Sequence, residues 1–285
     1  MIQLPQGVVK IAEYQQLLSS LFFKEIEKFS SDFIINNKPV LLPYYKKWVM
    51  DPLHQWSRQW EYPFVYSHIQ EHIKSYGITS PKILDAGSGI TFFPHFLKTV
   101  IPQAEITCCD TDTTLESIFT SINSDKETGV KFLCKDIRKI GLEDNSFDII
   151  YCVSVLEHTK NYGEIVKEFH RLLKNNGILI VTFDISLDGQ GDIPACELKN
   201  LIVAINTFLT TTEQSSINEL LDEKMLLNKD IVTTQFISEL DKSLLPWKYP
   251  VLSAIKSSLK QKKIPLFNMK NLAVSCNTFS KKDSR

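Results

Sequence analysis

Two rhythms of apolar residues run along this chain. From residue 82 to residue 184, short apolar runs alternate with longer stretches in which apolar residues recur every three or four positions. The runs Lys82–Ala86, Glu105–Cys109, Val130–Cys134, Phe147–Val153 and Gly177–Phe183 read as strands. Strands that lack a polar face are covered on both sides, so the pattern predicts a parallel sheet with helices on each face. The intervening helices are expected from about Phe92 to Val100 and from Tyr162 to Lys174, the latter stopped by Asn175-Asn176-Gly177.

Outside this block the rhythm loosens. Ile11, Tyr14, Leu17, Leu18, Leu21, Phe22 and Phe23 share a three-to-four spacing that predicts one amphipathic helix over about 10–30. It packs on the core, or forms a cap or an oligomer contact, a homodimer in the simplest case. Pro39, Pro43 and Pro52 are expected to break the next segment into short irregular pieces. Those pieces hold Tyr44, Tyr45, Trp48, Trp56, Trp60 and Tyr62, an aromatic density that suits a lid. A helix from Phe64 to Tyr76 should end at Gly77. Beyond the fifth strand, helical patterns near 195–209 and 213–227 precede Asp230–Phe236, which reads as a sixth strand or a helix approach. Residues 271–279 make a last strand, and Lys281 to Arg285 a frayed tail.

Composition narrows the function classes. A chain of 285 residues, 43% hydrophobic, can bury one substantial core with an attached cap. A net charge of −1 and a pI near 6.6 give no global field toward nucleic acid or an anionic membrane. The basic run from Lys260 to Lys263 reads as a solvated helix end. Cys108, Cys109, Cys134, Cys152, Cys196 and Cys276 include no C-x-x-C pair, and the first four lie in or beside apolar runs. Buried free thiols in a reducing compartment are expected, with no metal site. No secretory leader or membrane-length apolar run is evident, so the expected location is the cytoplasm.

The candidate chemistry lies where the first strand ends, at Asp85-Ala86-Gly87-Ser88-Gly89. Glycines at a strand-to-helix turn let a ligand approach the backbone closely. A dinucleotide fingerprint would need a third glycine at position 92, which is Phe. A carboxylate beside the turn repels pyrophosphate and attracts a cation. Asp110 follows Gly89 by 21 residues, at the tip of the second strand, where a carboxylate accepts from both hydroxyls of a ribose. Asp85, Asp110, Asp136 and Ser154 all stand at carboxyl ends of strands, the edge at which such sheets bind ligands.

Asp85 to Gly89 resembles motif I of the class I methyltransferases that use S-adenosylmethionine. The units Phe147-Asp148, Leu156-Glu157-His158, Arg171-Leu172-Leu173-Lys174 and Asn176-Gly177-Ile178-Leu179 are similar to later parts of the same family, in the same order. The segment Trp60-Glu61-Tyr62-Pro63 resembles one found in a group of bacterial members. The resemblance implies an α/β, Rossmann-like, doubly wound and mostly parallel seven-stranded sheet, its last strand antiparallel at the edge. It also implies an N-terminal helical cap (1–63), a cofactor-binding core (64–186), a helical insertion after the fifth strand (187–250) and a C-terminal completion of the sheet (251–285). S-adenosylmethionine is then held by Asp85, Gly87, Ser88, Gly89, Asp110, Thr111, Asp136, Ile137, Val153 and Ser154, with Asp136 and Ile137 at the adenine.

The expected activity is methyl transfer to an oxygen or nitrogen of a small molecule, a specialised metabolite or sugar derivative. His158 is the leading base, because its unperturbed pKa is near neutral and it sits just past the fourth strand. Glu61 and Tyr62 are further catalytic candidates, and Asp184 and Asp188 weaker ones. Alternatively, Trp60 and Tyr62 are structural and Glu61 pairs with Arg58. Two other readings stay open, a nicotinamide-dependent oxidoreductase and a non-catalytic binder of S-adenosylmethionine.

Overall fold

A computed structural model of the chain describes residues 3–47, 51–124, 129–189, 192–226, 228–245 and 270–281. The chain opens with a two-residue strand, β1 (Gly7–Val8), then α1 (Ile11–Ser19), α2 (Leu21–Asn36), α3 (Lys38–Lys47) and α4 (Arg58–Tyr76). Strand and helix then alternate: β2 (Lys82–Ala86), α5 (Phe93–Val100), β3 (Glu105–Asp110), α6 (Leu115–Ser124), β4 (Lys131–Cys134), β5 (Phe147–Val153), α7 (Tyr162–Leu172) and β6 (Leu173–Ser186). The remainder comprises β7 (Ile193–Pro194), α8 (Ala195–Phe208), β8 (Leu209–Thr211), α9 (Gln214–Leu221), α10 (Glu223–Leu226), α11 (Thr234–Leu240) and β9 (Leu272–Lys281).

Among the described residues these strands form one nine-stranded sheet. Its continuous path is β4-β3-β2-β5-β6-β9-β1, with β7 beside β6 and β8 beside β9. Neighbours from β4 through β6 are parallel, and β9 runs antiparallel to β6 and to β1. The expected Rossmann-like class holds; the short β1, β7 and β8 are strands that were not expected, and one of the expected seven, at Asp230–Phe236, is missing. The order reverses between β2 and β5, which places a crevice above their carboxyl ends. Alternation along each strand divides the core. Ile83, Ile149, Tyr151 and Ile180 join the layer of α1–α6, whereas Leu84, Ile150, Leu179 and Val181 join that of α7–α9.

Several local expectations need correction. The helix predicted over 10–30 is broken at Ser20, whose hydroxyl accepts from the Phe23 amide at 3.1 Å and so caps α2. Pro39 and Pro43 do not break the chain: both lie inside α3. Pro39 falls in the first turn, where its missing N–H is no loss, and burial of Leu41 and Tyr45 sustains the helix past Pro43. Trp60-Glu61-Tyr62-Pro63 is likewise the start of α4, six residues earlier than predicted. Gly77 does end that helix, at φ 61°, with the Ile78 amide donating to Ile73.

Asp230–Phe236 is not a strand. Ile231 and Thr233 make isolated bridges to Lys10 and Ala273, and the Thr233 hydroxyl then caps α11. The last strand is not the sheet edge, because β1 pairs along its outer side. Lys281 is no tail residue but closes β9, its ammonium donating to the Leu173 carbonyl at 2.6 Å. Trp48 and residues 260–263 lie outside the described residues. Among those described, no helix is long and apolar enough to cross a membrane. All six cysteines are free: Cys134 is half-buried, Cys196 exposed and the other four buried.

Candidate active site

Each carboxyl-end residue is placed by the strand that carries it. At the end of β2, Gly87 has φ 80° and Gly89 φ 51°, conformations that other residues adopt at a cost. The space is as restrictive as the dihedrals. A Cβ on Gly87 would lie 2.5 Å from Val155 Cγ2, and one on Gly89 2.7 Å from Tyr44 Oη. The amides of Gly87 and Ser88 donate to the Cys109 carbonyl at 2.8 and 3.0 Å, which ties the turn to β3. Asp110, at the tip of β3, accepts from the Gly89 amide at 2.8 Å and from the Asp112 amide at 3.0 Å. Its carboxylate is therefore fixed across the mouth of the glycine turn.

These groups open on a single crevice of about 950 Å³. The glycine corner contributes Asp85, Gly87, Ser88 and Gly89, and β3 contributes Asp110 and Thr111. Asp136 and Ile137 enter from beyond β4, Val153 and Ser154 from the end of β5, His158 from the turn after it and Tyr62 from α4. Glu61, Asp184 and Asp188 are not among the lining residues. The volume suits a nucleoside-sized ligand together with a small second molecule.

Charge in the crevice is set by burial and near neighbours. Burial pushes the Asp85 carboxyl up to about 8, with the Asp110 charge adding to the effect. A cation beside it would return it to the ionised form. Hydrogen bonds from Arg138 hold Asp136 below the usual carboxylate range, the Arg138 Nε lying 3.0 Å from each carboxylate oxygen. Burial lowers His158, and the Arg58 and Lys270 charges lower it further against the pull of Asp192. The imidazole is therefore neutral at pH 7 and able to accept a proton. Burial raises the Tyr62 phenol far above its ordinary value, so it stays protonated.

Behind the crevice lies a network that sequence reasoning reached only in part. Glu61 is fully buried, and its carboxylate takes hydrogen bonds from Arg58, from the Ser154 hydroxyl at 2.7 Å and from the Thr182 hydroxyl. Arg58 also donates to Ser154, and the Ser154 amide donates to the Thr182 carbonyl at 3.0 Å. Ser154 has φ 47°, an uncommon conformation for a residue other than glycine, and this network holds it there. Glu61 thus faces the crevice floor from behind and does not touch its contents. The Arg58–Glu61 pair was legible from nearness in sequence, though not as part of a helix. Their contacts to Ser154 and Thr182 were not, since those partners are 93 and 121 residues away from Glu61. Tyr44, over the glycine turn, carried no signal beyond its place in an aromatic cluster.

The glycine cradle, with a buried acid on one side and a backbone-held carboxylate on the other, fits an adenosyl cation. Residues 84–181 match the sequence profile of a family described as a methyltransferase domain. A 49-residue stretch is 45% identical to an uncharacterized protein of Methanocaldococcus jannaschii, covering 17% of this chain and 21% of that one. The chain thus matches about a fifth of that relative's length. Among solved structures, phosphoethanolamine N-methyltransferase 2 of Haemonchus contortus, in complex with S-adenosyl-L-methionine, superposes with a TM-score of 0.46 at 16% identity, over 76% of this chain and 53% of that one. An S-adenosylmethionine-dependent methyltransferase of Aquifex aeolicus does so with a TM-score of 0.41 at 17% identity, over 50% and 80%. Strand order, the cradle and the profile match agree that residues 84–181 of this chain form a class I methyltransferase domain, of the kind whose cofactor is S-adenosylmethionine.

Proposed function

We propose that this chain transfers the methyl group of S-adenosylmethionine to an oxygen or nitrogen of a small-molecule acceptor. The observation that carries this reading is the convergence of Asp85, Asp110, Asp136 and Ser154, from four separate strands, on one crevice walled by aromatic residues of the N-terminal helices. The cofactor supplies a methyl group on a sulfonium, already activated for displacement. Asp110 accepts from the ribose, Asp136 and Ile137 bound the adenine, and Gly87 to Gly89 give the backbone room beside the methionyl end. Val153 and Ser154 form the floor at the end of β5. His158 takes the acceptor's proton where the acceptor has one to lose. The rest of the rate is gained by aligning acceptor and methyl and by excluding water, the task of α3 and α4.

Two roles differ from the expectation built on sequence. Glu61 acts as a positioning residue through Ser154, and Tyr62 as an uncharged wall. Calorimetric titration tests the reading: S-adenosylhomocysteine should bind, NAD should give no heat, and labelled methyl should pass to a component of a metabolite extract. Binding of NAD in place of S-adenosylhomocysteine would overturn it. Binding without transfer to any acceptor would leave a cofactor-binding protein.

A further inference from the structure

One guanidinium in the crevice is only half engaged. Arg58 is a lining residue whose side chain is 24% exposed, and all of its hydrogen bonds leave from a single nitrogen. Nη1 donates to the Glu61 carboxylate, to the Ser154 hydroxyl and, at 3.4 Å, to the Ser57 hydroxyl. Nε and Nη2 have no partner among the described residues, and neither is sealed from solvent. Those two nitrogens form the side-on edge of the guanidinium, a fork that matches the paired oxygens of a carboxylate. Glu61 offsets the Arg58 charge, but it is fully buried behind the crevice and is also engaged by Ser154 and Thr182. The anchored Nη1 fixes the fork before a ligand arrives, which lowers the ordering cost of binding.

The surroundings of the fork suit an anion. The acids that line the crevice, Asp85, Asp110, Asp112 and Asp136, all stand at or just past the carboxyl ends of β2 to β4. Toward α4 and the turn after β5 the lining residues are instead Gln55, Arg58, His158, Lys160 and Asn161, none of them acidic. Glu157 and Asp184 are within electrostatic reach of Arg58, but burial holds both toward the neutral form. The Arg58 charge reaches His158, the proposed base, whereas Asp85 at the glycine corner responds to Tyr151 and Asp110. The fork therefore belongs to the base's side of the crevice rather than to the glycine turn.

Resting on the methyl-transfer reading above, we infer that the acceptor carries a carboxylate, gripped by the Nε–Nη2 edge of Arg58 through two parallel hydrogen bonds. Tyr44, Tyr45 and Tyr62 line the same crevice, so aromatic acids make suitable probes. The test is calorimetry on the full chain saturated with S-adenosylhomocysteine, titrated with 3-phenylpropionate, 3-phenylpropionamide and 3-phenylpropylamine. The acid should bind at least about tenfold more tightly than the amide, and the amine more weakly still. The double variant Arg58→Gln, Glu61→Gln removes both charges of the pair together, and it should lose that preference while its affinity for S-adenosylhomocysteine changes less than about threefold. If it does not fold, Arg58→Lys, which keeps a cation for Glu61 but not the fork, should cut the preference at least about threefold. Methylthioadenosine, which lacks the methionyl carboxylate, is titrated alongside. A variant that weakens S-adenosylhomocysteine and spares methylthioadenosine would assign the fork to the cofactor's own carboxylate and overturn the inference. Equal binding of the three probes, preference for the amide or amine, binding of none, or a preference that survives the variants would also overturn it and leave the proposed function standing. Failure of S-adenosylhomocysteine to bind the unaltered chain would remove the reading beneath it.

Discussion

Asp110 holds the glycine turn and also faces the crevice, so on the proposed reading its removal should be felt in both stability and cofactor affinity. Asp110→Ala should weaken S-adenosylhomocysteine by roughly 10- to 100-fold, as expected for lost hydrogen bonds to a charged acceptor, with about 1 kcal/mol of stability lost at the turn. Calorimetry and urea unfolding separate the two. His158→Ala should lower turnover by about 10²- to 10³-fold and change cofactor affinity less than about twofold. Burial lowers the imidazole's pKa, so the acid limb of the kcat/KM profile should lie below the ordinary value of about 6.5 and vanish in the variant. At this scale the sequence was informative wherever a residue ended an apolar run, because the end of a strand fixes where its side chain goes. Asp85, Asp110, Asp136 and Ser154 were found on that ground. Arg58 was read only as a partner of Glu61 and Thr182 not at all, because the contacts that tie them to Ser154 come from packing between segments far apart in the chain.

The same contrast holds for whole elements. Four of the five parallel strands were read to within a residue, since burial on both faces leaves an apolar run; the fifth, β6, starts at Leu173, inside the predicted helix, and runs on to Ser186. The N-terminal helices were harder. Proline is a local signal against helix, and in α3 tertiary burial of Leu41 and Tyr45 overrides it. A helix start at Arg58 was hidden because Ser57 makes no side-chain cap there. What fixes that start is the contact of Glu61 with β5 and β6. Glu61→Ala, which leaves half-buried Arg58 without its anion, should therefore cost about 2–3 kcal/mol in urea unfolding, less than breaking a fully buried pair. Gly77→Ala, by contrast, meets no neighbouring atom and only the unfavourable φ of 61°, so about 1 kcal/mol is expected.

For the molecule as a whole, buried ionisable groups set the response to pH. Burial raises Asp85 to about 8, and hydrogen bonding to Asp51 raises His54 to about 9. A raised folded-state pKa gives stability that is full below the unfolded value and lost as pH climbs through the folded one. Buried His68 and His72, with lowered values, act in the opposite sense, but only below about 6.5, where the unfolded imidazoles titrate. The melting temperature of the free protein should hence decline between about pH 6.5 and 9, and Asp85→Asn should flatten the lower part of that decline.

The pairing of β1 with β9 has a consequence in time. Gly7 and Val8 emerge from the ribosome long before their strand partners, Cys276 and Ser275, which follow them by more than 260 residues. The parallel strands can assemble during synthesis, but this flank of the sheet must wait, its leading segment unengaged, until β9 has been made.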